Sequence, residues 1–235
     1  MSSGPPARRR SDVVHARLRA EILEGRLAPG AAVPSERALA DELEVNRHAV
    51  REALKRLEQA GLVRISQGGP TRVREWRETA GLEVLLDLVA GPDGPPPAAL
   101  ARAVLEMRES IGVDAARRCA DRASPADRSA VGALAQDAAG AIAAHTAGGA
   151  DAGAMDAAYA ALWRAIVAGA QNIAYQLALT SLVGALDAHP GVAERTRPRD
   201  AAGVRALGAA IAAGAPGEAE RAARALLEPD ARAFA

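Results

Sequence analysis

Apolar positions in this chain recur at helical spacing almost throughout, and only one short stretch alternates as strands do. Val14, Leu18 and Ile22 fall four residues apart, with Val13 and Leu23 widening the stripe. This predicts a first helix over 11–24, stopped by Gly25. Leu27-Ala28-Pro29-Gly30 has the composition of a turn. Two short helices follow, joined by a tight turn. The first begins at Ser35, whose hydroxyl can accept an unpaired first-turn N–H, and turns Leu39 and Leu43 inward. The second is capped by Asn46 in the same way, buries Ala49, Val50, Ala53, Leu54 and Leu57, and ends at Gly61. The period then changes to two. Val63 and Ile65 alternate with Arg64 and Ser66, and Thr71-Arg72-Val73-Arg74 alternates again after Gly68-Gly69-Pro70. The stretch from Leu62 to Val73 therefore reads as a hairpin with Gly68-Gly69 at its tip.

Residues 1–10 lack apolar periodicity and contain Gly4-Pro5-Pro6, so they read as a disordered tail. Glu75 to Thr79 form a junction. A linker helix over 79–90 follows, with Leu82, Leu85, Leu86 and Val89 on one face. The run from Gly91 to Pro97 cannot be helix interior. Every later segment reads as helix: 98–121, 125–144, 154–170, 172–188, 200–213 and 217–228. Ser124-Pro125 is a helix start, a capping residue followed by Pro at the first helical position. Pro190-Gly191 and the residues from Ala213 to Gly217 mark turns. The short connections favour antiparallel packing. The fold expected is mostly α: a winged helix-turn-helix domain over 11–74, a linker helix over 75–90, and an all-α antiparallel helical bundle over 98–235.

Composition sharpens this. The chain of 235 residues is 49% hydrophobic but only 2% aromatic, so its cores must be built from Ala, Leu and Val. The single Cys119 excludes an internal disulfide framework and a multi-cysteine metal site, and reads as a small buried filler. No apolar run approaches the roughly 18 residues of a membrane span. Met1 to Arg10 carries an arginine triplet with no apolar segment after it, unlike a secretory signal. The expected location is cytoplasmic, without membrane association. The formal net charge is zero, yet residues 1–80 hold fifteen basic against eleven acidic side chains, a net +4 balanced by −4 in the remainder. A cationic head on an anionic partner domain is the charge pattern of a DNA-binding module.

The second helix of the pair carries Arg47, Arg51 and Lys55 at i, i+4 and i+8, three cations in line on one face. Arginine at the start of such a helix can reach guanine O6 and N7 in the major groove. Arg37, one turn into the preceding helix, can reach phosphate or a base edge. Arg56, Arg64 and Arg74 read as solvated surface cations. No nucleophile-with-base arrangement, long glycine-rich phosphate loop or metal cluster points to an enzyme. The expected partner is double-stranded DNA.

The run Leu27-x-Pro29-Gly30-x3-Pro34-Ser35-Glu36-Arg37-x-Leu39-Ala40, followed by Val45-x-Arg47-x2-Val50-Arg51-x-Ala53-Leu54-x2-Leu57-x3-Gly61-Leu62-Val63, resembles the GntR family of winged-helix bacterial regulators. The resemblance implies DNA contacts through Arg37, Arg47 and Arg51, with Asn46 and His48 beside them and Gln67-Gly68 entering the minor groove. Asn46 and His48 stand where the family keeps small hydroxyl residues. The resemblance also implies a homodimer on a pseudo-palindromic operator, each head reading a half-site.

The helix count and order of the second domain are similar to the FCD class of the FadR subfamily. Many such domains hold a metal through Asp, a His four residues later, and two further His. Aligned on Asn172, this chain has Tyr159 and Trp163 at the first two positions and Val204 and Leu226 at the others. None can supply a zinc-type site at neutral pH, so no metal or other cofactor is expected. Gly69-Pro70-Thr71-Arg72-Val73 and Trp76-x-Glu78-Thr79-x-Gly81-Leu82-x-Val84-Leu85 resemble the fatty-acid-responsive, metal-free branch of that subfamily. That branch implies a fatty acyl-CoA effector, with Arg108 pointing into the cavity and Trp163 lining it. Tyr159, Asn172 and Tyr175 are further candidates, and Met107 and Leu182 could join them. Two alternatives stay open: a regulator holding another small organic acid through Arg108, and an architectural DNA-binding protein with no effector.

Overall fold

Two hydrophobic cores organise the chain, and it divides between them into the units Met1–Leu88 and Val89–Ala235. The computed structural model describes residues 10–66, 68–89, 96–149, 151–187 and 189–234.

The first unit holds α1 (Arg10–Leu23), α2 (Glu36–Glu42), α3 (Arg47–Gln59), β1 (Val63–Arg64), β2 (Arg72–Val73) and α4 (Trp76–Thr79). Val14, Leu18 and Ile22 of α1 are buried in one cluster with Val50, Leu54 and Leu57 of α3. Val13 does not widen that stripe. It is 43% exposed, because one residue's step turns a side chain about 100° around the axis. Both caps form as the sequence predicts. The Ser35 hydroxyl accepts from the Ala38 N–H at 3.2 Å, and Asn46 Oδ1 from that of Ala49 at 2.8 Å. The turn between α2 and α3 passes through Glu44 at a φ of 52° and is closed by the Val45 N–H on the Ala40 carbonyl at 3.0 Å.

The hairpin pairs Val63 with Val73 and Arg64 with Arg72, antiparallel. Its alternation stops early: Ile65 is 38% exposed, and its N–H goes to the Glu58 carboxylate at 2.8 Å rather than along the ladder. The sheet has a third contributor that the sequence reading left as a turn and its exit. Residues 30–33 run beside β2, with the Gly30 N–H on the Val73 carbonyl at 2.9 Å and the Val33 N–H on that of Thr71 at 2.8 Å. The bridge itself is a single pair, Ala32 with Arg72, too short to show a period.

The single linker helix is also corrected. α4 ends at Ala80, whose ψ of 156° is extended, and a separate α5 (Leu82–Val89) follows. α4 belongs to the head: Trp76 packs on its core, and Thr79 Oγ1 donates to the Gly61 carbonyl at 2.7 Å. Gly61 has a φ of +74°, and a Cβ there would stand 2.2 Å from the Thr79 carbonyl oxygen. Only glycine satisfies both constraints.

The second unit continues with α6 (Ala98–Arg122), α7 (Pro125–Thr146), α8 (Ala152–Gly169), α9 (Ile173–Asp187), α10 (Pro190–Arg195), α11 (Ala201–Ala212) and α12 (Pro216–Arg232). α6 packs against α12, α8 and α9, and α7 against α8 and α11. Small residues allow these helices to approach closely. A Cβ on Gly208 of α11 would lie 2.2 Å from that of Ala135 on α7. Cys119 is fully buried, and burial pushes its thiol up to about 11, which fits the filler role. The Ser124 hydroxyl caps α7, accepting from the Asp127 N–H at 3.1 Å. Two boundaries differ from expectation. Pro190, read as a turn, opens α10, because its fixed φ suits a first helical position. α12 runs through Pro229 to Arg232. Near a helix end, proline forfeits only one backbone bond, and the Ala233 N–H on the Pro229 carbonyl at 3.1 Å closes the last turn. No described helix is long and apolar enough to cross a membrane.

Candidate nucleic-acid interface and effector cavity

The burial of Ala49, Val50, Ala53, Leu54 and Leu57 fixes the opposite face of α3 outward. Arg47, His48, Arg51 and Lys55 are all exposed on it, and Arg37 is exposed at the start of α2. Arg37 and Arg47 have no hydrogen-bond or ion-pair partner among the described residues, so their charges are unspent. Arg51 is held: its Nε donates to Glu36 Oε2 at 2.8 Å, tying α3 to α2. Asn46 is exposed, but its Oδ1 is committed to the cap, leaving the amide nitrogen to donate. Gly68 lies exposed at the wing tip with a φ of +77° and open space around it, so its backbone is accessible. Gln67 lies outside the described residues. Arg56, read from sequence as a solvated cation, instead bonds Asp12 of α1 at 2.7 Å. The head thus brings together every described candidate for DNA contact on two adjacent helix starts and the wing.

In the second unit a cavity of about 820 Å³ opens among α6, α8, α9 and the segment after α10. Its apolar wall is Trp163, Val167, Leu179, Val183, Leu186 and Leu227, and its polar groups include Arg108, Asp156, Arg164, Gln176 and Arg197. A smaller cavity of about 320 Å³ lies beside Arg195, Arg199, Leu226 and Asp230; Tyr159 lines both. Tyr159 and Trp163 meet edge to face, with ring centres 6.2 Å apart. Burial pushes the Tyr159 phenol up from its ordinary value. Trp163 Nε1 and Arg197 Nε are buried without a hydrogen-bond partner.

Arg108 lines the larger cavity, but its charge is not free. Its Nη1 donates to Asp230 Oδ2 at 2.7 Å, with the two side chains 15% and 16% exposed. Burial drives the Asp230 carboxyl above the usual carboxylate range, and Arg108 opposes that rise. Nothing local in the sequence marks Asp230. The pair spans 122 positions, and Asp230 follows a proline that reads as the end of the helix.

The structure does not bring Asn172 or Tyr175 into the cavity lining. Asn172 precedes α9, and its Oδ1 accepts from the Ala174 N–H at 3.1 Å. The Tyr175 hydroxyl donates to Asp114 Oδ2 at 2.8 Å, tying α9 to α6. Met107 and Leu182 are likewise absent from the lining; Leu182 is fully buried. Tyr159, Trp163, Val204 and Leu226 offer no ligand set for a metal, and no group of three His, Cys, Asp or Glu among the described residues could hold one.

Asp114 gives a pH prediction. Burial alone would raise its carboxyl, but bonds from Arg118, Arg117 and Tyr175 outweigh that and hold it down at about 2. A folded value below the unfolded one means stability that is present above the unfolded value and lost as pH falls through the folded one. The helical unit should therefore lose on the order of 1 kcal/mol between pH 4 and pH 2 through this group, solvent screening its exposed part. Asp114→Asn should flatten that limb in urea titrations followed at the helical signal. An unchanged acid limb would contradict the assignment.

The model of bacterial regulatory proteins of the gntR family matches residues 10–73, and that of the FCD domain matches residues 103–229. The HTH-type transcriptional regulator Mce2R of Mycobacterium tuberculosis is 43% identical over 122 residues, 51% of this chain and 50% of that protein. A fatty acid metabolism regulator protein of Shewanella halifaxensis is 38% identical over 91 residues, 38% of this chain and 37% of that protein. The chain spans about half the length, or less, of the curated relatives it matches. Among solved structures, Lar of Listeria monocytogenes superposes with a TM-score of 0.53 at 14% identity, covering 99% of this chain and 98% of that one, a likeness of fold.

Proposed function

Because the chain belongs to the gntR family of bacterial regulatory proteins and carries an FCD domain, we propose that it is a transcriptional regulator that reads DNA with its head and is released by an amphiphilic acid bound in its helical unit. The observation that carries the first part is the pair of exposed, unpartnered arginines, Arg37 and Arg47, at adjacent helix starts. Backed by Arg51, Asn46 and His48, with Gly68 at the wing, they form the surface that would enter the major groove. Two copies on a pseudo-palindrome give each head a half-site. The second part rests on the cavity of about 820 Å³. It falls within the roughly 300–1,000 Å³ of small-molecule sites. It joins an apolar wall around Trp163 to the arginines Arg108, Arg164 and Arg197.

A fatty acyl-CoA suits that mixture, an apolar tail against Trp163 and Val183 and anionic oxygens toward the arginines. The relatives called fatty acid metabolism regulators support this class of effector. Effector binding changes DNA affinity only if it favours one arrangement of the heads over another. The test is a labelled duplex from upstream of the protein's own gene, bound at fixed salt and titrated with oleoyl-CoA. Release at micromolar oleoyl-CoA, with free coenzyme A inert, is the expected result. DNA binding indifferent to oleoyl-CoA would refute this effector class.

A further inference from the structure

The Arg108–Asp230 pair stands in the partition between the two cavities. Arg108 lines the larger and Asp230 the smaller, and Tyr159 faces both. Neither charge tolerates burial without the other. The larger cavity also contains Arg197 Nε, a buried N–H donor without a hydrogen-bond partner, and Trp163 Nε1, which lies near the Tyr159 hydroxyl without forming a full hydrogen bond. Buried donors are normally satisfied, so Arg197 Nε calls for an acceptor oxygen, although Arg197 Nη2 already bonds Asp156 Oδ2 at 3.4 Å. Asp230 supplies such an oxygen to Arg108, from the last turn of α12. That turn has one backbone bond fewer, since Pro229 has no N–H to give it; beyond Asp230 it is packed through the buried Ala231 and Phe234, and Arg195 bonds the Ala233 carbonyl and stacks on Phe234 at 4.0 Å.

Resting on the reading that the larger cavity is the effector site, we propose that Asp230 is an internal counter-ion holding the place of the effector's acid group on Arg108. An anionic amphiphile enters by displacing it. The incoming oxygens take over the Arg108 guanidinium and meet the Trp163 and Arg197 donors. Asp230 swings into the smaller cavity beside Arg195 and Arg199, where its charge is better solvated. The wall between the cavities parts, and the last turn of α12 is freed. Asp230 therefore lowers effector affinity, since only the fraction of molecules with the pair open binds.

Calorimetric titration of the full chain with decanoate and with decan-1-ol tests this. Asp230→Asn should tighten decanoate binding by roughly tenfold or more and leave decan-1-ol within about twofold, because it removes the competitor for an anion only. Arg108→Gln should weaken decanoate and spare the alcohol. Decanoate binding that Asp230→Asn leaves equal or weaker overturns the proposal but not the effector site. Failure of both probes to bind the unaltered protein removes the effector site and the proposal together. If the Asp230→Asn chain does not fold, amide exchange of the unaltered protein decides. Exchange at residues 230–234 should quicken with saturating decanoate, and unchanged or slower exchange overturns the proposal.

Discussion

Replacing Arg37 and Arg47 together by alanine is expected to remove much of the specific DNA binding while leaving the fold intact. Each arginine is exposed and has no partner among the described residues, so its removal sits among surface substitutions that change stability by less than about 0.5 kcal/mol. On DNA, by the proposed reading, the same two groups would make contacts that water no longer shares. An arginine bidentate to guanine contributes about 1–3 kcal/mol, and two contacts on separate helices add nearly independently. The double variant should lose a factor of about 30 or more in affinity for its operator. Arg51→Ala is a less clean test, since it also breaks the tie to Glu36. Anisotropy titrations beside thermal melts check the claim. An affinity within about threefold of the unaltered protein at equal melting temperature would show that DNA engages another face.

Gly61→Val should have the largest effect on stability. The position needs a φ of +74°, and a Cβ there meets the Thr79 carbonyl oxygen at 2.2 Å. The left-handed backbone alone costs roughly 1–2 kcal/mol, more for a β-branched residue. Relieving the clash means moving α4, which breaks the Thr79 hydroxyl bond to the Gly61 carbonyl and lifts Trp76 from the core. Together these should destabilise the head by about 3–5 kcal/mol. Urea unfolding followed at Trp76 fluorescence should report this as an earlier transition of the head. The helical unit, with its own core, should unfold where it did before. Coincident loss of both transitions would show that the units do not fold independently.

The head was legible because its signals are local. Ser35 and Asn46 sit where capping chemistry places them, and the stripe from Ala49 to Leu57 predicts the buried face of α3 residue by residue. Local signals also mark where legibility ends. The bridge at Ala32 has no period to read. The break at Ala80-Gly81 sits inside a pattern apolar enough for one continuous helix. In the helical unit, the starts at Ser124 and Asp200 are capped by their own side chains, so the order of helices could be followed. The site within it could not. Trp163, Tyr159 and Arg108 line the cavity. Tyr175 and Asn172, candidates alongside them, are engaged elsewhere, one by Asp114 and one by the start of α9. Asp230 was invisible because ion pairing across 122 positions leaves no spacing in the sequence.

The central claim is that the head recognises a particular DNA sequence through Arg37 and the start of α3. Its most direct test is paired anisotropy titrations at one physiological salt concentration. One duplex is taken from upstream of the protein's own gene and the other is a scramble of the same composition. The account predicts at least about a thousandfold tighter binding to the first, with the preference cut by about five- to 150-fold in Arg47→Ala. Equal affinity for both duplexes, or a preference that survives Arg47→Ala unchanged, would contradict it.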